Sequence, residues 1–440
     1  MRNVAIVAFH VYPDAAVGAK RVSELANHLA SDDWQLVVVS HRSSATDPSR
    51  HLHESITAIL IEQPRPISLR VIERLKRLWP GRARSIEGSS PGRMSAPPRG
   101  PSGLIAKIEW HYHRIVGVLD PMKKWSIKVA LQFLWNKDLS RAQVIVVSGP
   151  PWSPVLAATV VGVCWRRPVL FDLRDPWFER VGESREYTGF RRWADKVCEF
   201  FCMRVARTVT VTTEAFLRSL AQRYPQHAHK IFLIRNGYDE SMVIASPAPV
   251  GKLAMLYAGT IYIGRNPFPL LQGLAWLLEQ ADVDRTRVRL KFVGDCRMWN
   301  GRLLSDITRE LAIEDVVEIQ GIVSGARIRE LTTEANVIVN FAQGHPEQAP
   351  AKLYEQLVSN RFGLLFAETH SESANIASAF ATITRLDDSP DQVVASLRRF
   401  YDELVVHERS PSVTEAASAH SRVRSNQRFE QVLLEMLPER

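Results

Sequence analysis

Residues 337–367, VIVNFAQGHPEQAPAKLYEQLVSNRFGLLFA, leave this chain little choice of fold. VIVNF is a short apolar run of the kind that fills a parallel strand covered on both faces. AQGHPEQAP is a turn-rich loop. Pro350 stands where a first helical residue is favoured, because its missing N–H would be unpaired there anyway. Leu353, Leu357 and Val358 then form one face of a short helix, and Phe362–Ala367 is the next buried strand. A helix that starts after a parallel strand presents free backbone N–H groups and the positive end of its dipole, which suits a phosphate. Two carboxylates, Glu347 and Glu355, flank Lys352 across this loop and helix. A lysine there suits phosphate and a carboxylate suits sugar hydroxyls, although a solvated helix start would carry the same residue types.

The strand, loop, helix plan recurs along the chain. Strands are expected at 3–9, 36–40 and 57–62, and at the start of 144–154 (strand then turn), 168–177 (strand with a charged C-terminal end), 207–216 (strand then helix) and 230–239 (strand then Asn-Gly turn). A second series follows a linker-like segment at 240–252: 253–260 ending in Gly259-Thr260, 288–295 ending in Gly-Asp, 317–323, and then the stretch above. Helices are expected between them, the first with Val22, Leu25, Ala26 and Leu29 on its apolar face. The reading is an α/β chain of two doubly wound, Rossmann-like parallel sheets with loops gathered on one edge of each. Two such domains facing each other make a cleft, and a ligand belongs there. The boundaries are 1–238 for the first domain, 251–390 for the second and 391–440 for C-terminal helices. Asp172, Arg174 and Asp175 end one strand of the first domain, where ligands of open sheets bind; an internal Arg–Asp pair is the other reading of them.

One region breaks the plan. Residues 64–135 read as an insertion associated with membrane or acceptor. SLRVIERLKRLW (68–79) sets an apolar stripe and a Trp against Arg70, Arg74, Lys76 and Arg77, a pattern that suits a helix lying in a membrane interface. Residues 81–103, rich in Gly, Pro, Ser and Arg, read as a loop. Residues 104–135 read as two helices mixing tryptophans with lysines. The formal net charge of +9 suits anionic partners. With no nucleic-acid motif present, phosphate or an anionic membrane surface is preferred. No apolar run approaches the ~20 residues of a membrane span. The four cysteines show neither a disulfide framework nor metal spacing, so a reducing cytosol is expected.

Six motifs then stand in a familiar order: Pro13–Arg21 (PDAAVGAKR), Ser148–Pro154 (SGPPWSP), Asp172–Trp177 (DLRDPW), Arg235–Asp239 (RNGYD), Tyr257–Thr260 (YAGT) and Pro350–Glu355 (PAKLYE). With the spacing from Glu347 to Glu355, they resemble GT-B-fold glycosyltransferases of the family 4 (group 1) type over nearly the whole chain. The resemblance implies a nucleotide-sugar donor held by the second domain and an acceptor held by the first. Glu347 would contact donor sugar hydroxyls and Glu355 the ribose. Arg265 and Lys352 would face the diphosphate, beside Gly259 and Thr260. Gly18 would let backbone approach the donor phosphate, and Gly321 and Val323 would hold the base by backbone contacts. Thr260 stands where many relatives carry a second diphosphate-binding arginine, and Gly18 stands where many have a glycine pair. The segment holding Arg174 and Asp175 falls where the family often has a His near the reacting sugar, with Asp175 as the substitute.

The expected activity is retaining transfer of a sugar to a lipid-linked saccharide, in bacterial cell-surface polysaccharide synthesis on the cytosolic membrane face. No metal and no cofactor is expected, since no Asp-x-Asp motif points to a required divalent ion and Arg265, Lys352 and helix N–H groups can stabilise the leaving diphosphate. The rivals are a nucleotide-sugar 2-epimerase of the same fold, a non-catalytic scaffold subunit, and a nucleic-acid binder suggested by charge alone.

Overall fold

The computed structural model describes residues 2–16, 18–30, 33–64, 119–177, 189–262, 264–411 and 415–437. The expected basic helix at 68–79, the loop at 81–103 and the 104–118 part of the helical pair lie outside these residues.

The first sheet has seven parallel strands in the order β3-β2-β1-β4-β5-β6-β7: β1 (Arg2–Ala8), β2 (Trp34–His41), β3 (Thr57–Ile61), β4 (Val144–Gly149), β5 (Val169–Leu173), β6 (Thr208–Val211) and β7 (Ile231–Leu233). Successive side chains of a strand point to opposite faces, so each strand feeds two cores. Ala5 and Val7 of β1 join one cluster, and Val4 and Ile6 join the other. The first cluster is covered by α2 (Lys123–Trp135), α4 (Trp152–Trp165), α5 (Gly189–Val205) and α6 (Glu214–Arg223), with the one-turn α3 (Lys137–Ser140) linking α2 to β4. The second is covered by α1 (Ala19–Leu29), on the four residues its apolar spacing predicts.

The second sheet has six parallel strands in the order β12-β9-β8-β13-β14-β15: β8 (Leu253–Ala258), β9 (Val288–Val293), β12 (Val317–Gln320), β13 (Val337–Phe341), β14 (Phe362–Phe366) and β15 (Ile383–Leu386). A small hairpin, β10 (Met298–Trp299) with β11 (Arg302–Leu303), stands off its edge. Its helices are α7 (Phe268–Leu278), α8 (Leu304–Glu310), α9 (Gly325–Glu334), α10 (Ala351–Gln356), α11 (Glu372–Ala377) and α12 (Pro390–Tyr401). The last helix, α13 (Arg422–Met436), crosses back to the first domain. There Phe429, Val432, Leu433 and Met436 pack in the α1 cluster, and Glu430 takes a hydrogen bond from the Trp34 indole at 3.0 Å.

Two helices show how polar groups set helix starts. Helix α4 begins at Trp152, two residues before Pro154. The Asp120 carboxylate accepts from the Trp152 and Ser153 backbone N–H groups at 2.6 and 2.7 Å, satisfying the first free donors of the helix. Thr213 caps α6 by accepting from Phe216 N–H. No helix among the described residues is long and apolar enough to cross a membrane.

Candidate active site in the interdomain cleft

The carboxyl ends of the two sheets face each other, and polar contacts between them place the candidate residues. On the first side, Arg174 follows β5 and ties three strand-end loops together. Its Nη1 donates to the Gly18 carbonyl at 2.6 Å, its Nη2 to the Pro150 carbonyl and its backbone N–H to the Gly149 carbonyl. Gly18 has an ordinary helical φ of −64°. A Cβ there would come 2.7 Å from Arg174 Nη1, so a larger residue would have to displace the guanidinium that bonds the Gly18 carbonyl. Asp175 is half-buried beside Arg174 at the same strand end. Asp172 is turned into the protein: it is 2% exposed and bonded to Arg21 Nη2 (2.9 Å), Ser148 Oγ (2.9 Å) and Thr210 Oγ1 (2.8 Å). It is an internal Arg–Asp pair. Burial opposes its charge, yet Arg21 and these hydroxyls hold its carboxyl below the ordinary range.

On the second side, the loop after β8 wraps around Arg265. Nη1 donates to Tyr257 Oη (3.1 Å) and to the Thr260 carbonyl (3.0 Å), while Nη2 donates to Tyr262 Oη (2.5 Å). The guanidinium also lies 4.0 Å over the Tyr262 ring. Thr260 thus serves through its carbonyl and leaves its side chain exposed. Gly259 and Gly294 meet edge to edge. Gly294 sits at φ +117°, and a Cβ on it would be 2.2 Å from the Gly259 carbonyl oxygen, so only glycine fits. Gly321, at the end of β12, accepts from Gly294 N–H at 3.2 Å, and Val323 packs on the small cluster beneath α9.

Lys352 rises from the first turn of α10 toward Gly259, whose Cβ position would be 3.0 Å from Nζ. Solvent reaches Lys352 through the cleft, yet protein crowds it on most sides. That crowding and the neighbouring Arg265 charge pull its ammonium down to about 8, although Glu355 acts in the opposite sense. Cys296, buried below, donates to the Gly259 carbonyl at 3.0 Å. Burial pushes its thiol up to about 12, so it is no thiolate here.

The structure brings Arg265, Lys352 and Glu355 to one edge. Glu347 joins them on the 343–348 loop. The Tyr262 and His345 rings, 6.0 Å apart, and the Gln343 bond to the Asn266 carbonyl (3.3 Å) hold this loop to the Arg265 loop. Helix α11 braces it from behind, with Glu372 N–H donating to the Pro346 carbonyl and Ser373 Oγ to the Gln348 carbonyl.

Sequence reasoning missed the residues that bridge the cleft. Lys20 pairs with Glu355 (3.3 Å) and Asp239 (3.2 Å), and its charge, with bonds from Ser241, lowers the Asp239 carboxyl to about 2 against the effect of burial. Thr213 Oγ1 donates to the Glu347 carbonyl at 2.5 Å. Glu372, 2% exposed, accepts from the Glu214 and Ala215 N–H groups at 3.2 and 3.1 Å, so a carboxylate of the second domain caps the N-terminus of α6 in the first. Lys20 was visible inside the PDAAVGAKR motif, but its partner is 335 positions away. The one Asp-x-Asp spacing, Asp282 and Asp284, is engaged elsewhere: Asp282 pairs with Arg398 at 2.6 Å and Asp284 holds Thr286.

No family model and no curated protein matches this sequence. Among solved structures the chain is similar to Anabaena HepE in complex with UDP-glucose (TM-score 0.62, 12% identity, 99% of this chain and 100% of that one). It is also similar to sucrose-phosphate synthase from Thermosynechococcus elongatus (TM-score 0.59, 13% identity, 99% and 97%). A third similar structure is the UDP-GlcNAc 2-epimerase from Neisseria meningitidis bound to UDP-GlcNAc (TM-score 0.50, 10% identity, 98% and 100%). With its two parallel-sheet domains of seven and six strands, the chain has the GT-B fold.

Proposed function

We propose that this protein is a retaining, metal-independent glycosyltransferase of the family 4 type. In this reading it moves a sugar from a nucleotide-sugar donor to a lipid-linked saccharide, in bacterial cell-surface polysaccharide synthesis at the cytosolic face of a membrane. The observation that carries the donor site is the meeting of two cations, Arg265 and Lys352, with Glu355 and the Glu347 loop at the open edge of the second sheet. HepE with UDP-glucose and the epimerase with UDP-GlcNAc share this fold and hold nucleotide sugars, which supports the donor class.

In this reading Arg265 and Lys352 bind the diphosphate and oppose the charge that builds on it as the sugar leaves. Glu347 accepts hydrogen bonds from sugar hydroxyls and Glu355 from the ribose. The backbone at Gly321 and Val323 borders the base. Gly18, held by Arg174, forms the facing wall, and Asp175 stands near the reacting sugar. The departing phosphate takes the acceptor hydroxyl proton, so no protein nucleophile is needed.

The titration of Lys352 gives a direct check. Free Lys352 is half protonated near pH 8, whereas a bound diphosphate holds its proton. Affinity for a nucleoside diphosphate is therefore highest below about pH 7 and falls about tenfold by pH 9, a slope set by one proton. Calorimetric titration across that range reads it. Lys352→Gln should bind more weakly with a flat profile, and an unchanged slope in that variant would remove Lys352 from the phosphate site.

The donor class is tested by a thermal-shift panel of nucleotide sugars and free nucleotides, with and without EDTA. A ligand at 100 times its dissociation constant adds about 2.7 kcal/mol. One responding nucleotide, insensitive to EDTA, supports the reading; no response favours a non-catalytic scaffold. The 2-epimerase reading, favoured by the neighbouring epimerase fold, predicts sugar isomerisation without any added acceptor.

A further inference from the structure

Helices that pack on a sheet ordinarily turn a polar stripe to water. On the first domain three neighbouring helices, α2, α4 and α5, do the reverse. Their inner faces fill one side of the sheet with Trp125, Val129 and Phe133, with Val155, Ala158 and Val161, and with Cys202 and Met203. Their outer faces are also apolar. Helix α2 exposes Ile127 (60%), Leu131, Leu134 and Trp135 (72%), a run at i, i+4, i+7 and i+8. Helix α5 exposes Phe190, Trp193 (60%), Val197 and Phe200 at helical spacing. Between them α4, which contains no charged residue, exposes Val160 and Val163. Scattered apolar side chains are normal on a surface, but ten on three adjacent helices are an interaction surface.

The charges on these helices decide the partner. Lys124, Lys128, Arg192 and Lys196 are exposed among the apolar side chains. The acidic residues of the three helices are Asp195 and Glu199, and both are turned inward. Asp195 accepts from Leu119 N–H at 2.7 Å, and Glu199 accepts from Tyr224 Oη at 2.7 Å. The outer face is therefore apolar and cationic, with tryptophans at 135 and 193. A protein partner would have to match apolar area and bring its own acids. An anionic bilayer matches both at once: acyl chains and the interface take Trp, Phe, Leu and Ile, and acidic headgroups take Lys and Arg.

We infer that the outer face of α2, α4 and α5 docks this protein on an anionic lipid bilayer. The face starts at the cleft, because Asp120, just ahead of α2, binds the first turn of α4 at the carboxyl end of β4. Helices α2 and α4 run from that edge toward the opposite end of the sheet, with Trp135 and Val163 near their far ends, so docking lays this flank of the first domain on the lipid surface. The surface stands on its own chemistry, and only its use in presenting an acceptor rests on the proposed reaction.

The test uses the full chain with phosphatidylcholine vesicles, with and without phosphatidylglycerol, read by co-sedimentation and by quenching of native tryptophan fluorescence with acyl-brominated lipid. Binding and quenching are expected only with phosphatidylglycerol. Trp135→Glu with Trp193→Glu, both at exposed positions, should lower partitioning at least tenfold with an unchanged melting temperature and an unchanged nucleotide response. Absence of quenching in the wild type overturns the inference whatever the variant does. So does a folded variant that partitions like the wild type. A wild-type dimer in light scattering that the variant makes monomeric, without vesicle binding, would reassign the face to a second copy. A silent nucleotide panel would leave vesicle binding intact and count against the reaction alone.

Discussion

Glu347→Ala is expected to lower sugar transfer on the order of 100-fold or more, as loss of a single positioned group in an active site commonly does. The argument rests on what the substitution spares. Glu347 contributes its backbone carbonyl to Thr213 across the cleft, and that bond survives in alanine. The loop around it is held by backbone groups, through Glu372 N–H to the Pro346 carbonyl, Gly344 N–H to Glu368 and Ser373 to the Gln348 carbonyl. These backbone bonds keep the loop in place across the cleft, so turnover should fall far more than the melting temperature does. Initial rates with the donor found in the thermal-shift panel, alongside the melt, separate the two effects. Glu347→Gln keeps hydrogen-bonding capacity without the charge, and its rate tells whether the carboxylate acts by charge or by bonding alone. A Glu347→Ala rate within about threefold of wild type would take this residue out of the site.

The strands of both sheets were legible because buried parallel strands are apolar on both faces, and runs such as VIVNF and LAMLYA admit few other structures. All seven strands of the first sheet fall on segments read as strands. Strand β15 was not legible: Ile383–Leu386 lies at the sheet edge, half-buried, with Thr384 and Arg385 in its middle, and it lacks the apolar run. The hairpin of β10 and β11 was missed for a similar reason, since two-residue strands carry no periodicity. At the site, the last motif holds Lys352 and Glu355 and the family resemblance adds Arg265, and the structure gathers the three at one sheet edge. Contacts between domains were hidden, because Lys20 with Glu355 and Glu372 with α6 depend on how two separately folded sheets meet. Asp172 shows the limit most clearly. Its place at a strand end is equally that of a ligand contact and of a structural pair, and only the burial of Arg21 against it distinguishes them.

That pair supports the largest stability prediction. Asp172→Ala would leave the Arg21 guanidinium enclosed without its counter-charge, and breaking a buried pair from one side costs about 3–5 kcal/mol. The low end, about 3 kcal/mol, is expected here. Arg21 retains the Ile234 and Arg235 carbonyls and the Asn236 side chain as acceptors at 3.0 to 3.2 Å. The Ser148 and Thr210 hydroxyls lose their shared acceptor as well. Urea unfolding followed by circular dichroism reads the loss, as a lower midpoint at unchanged slope. Replacing both partners by Arg21→Met with Asp172→Leu should recover most of it, since an apolar pair of similar volume removes the desolvation problem instead of exposing it. The pH dependence has a fixed sign. A carboxyl held below its unfolded value adds stability that is present above about pH 4 and lost as pH falls through the folded value. Wild type should therefore lose stability in acid faster than the double variant. If Asp172→Ala shifts stability by less than about 1 kcal/mol, the pair is a weak surface-like contact and the three strand ends it joins are held together by packing alone.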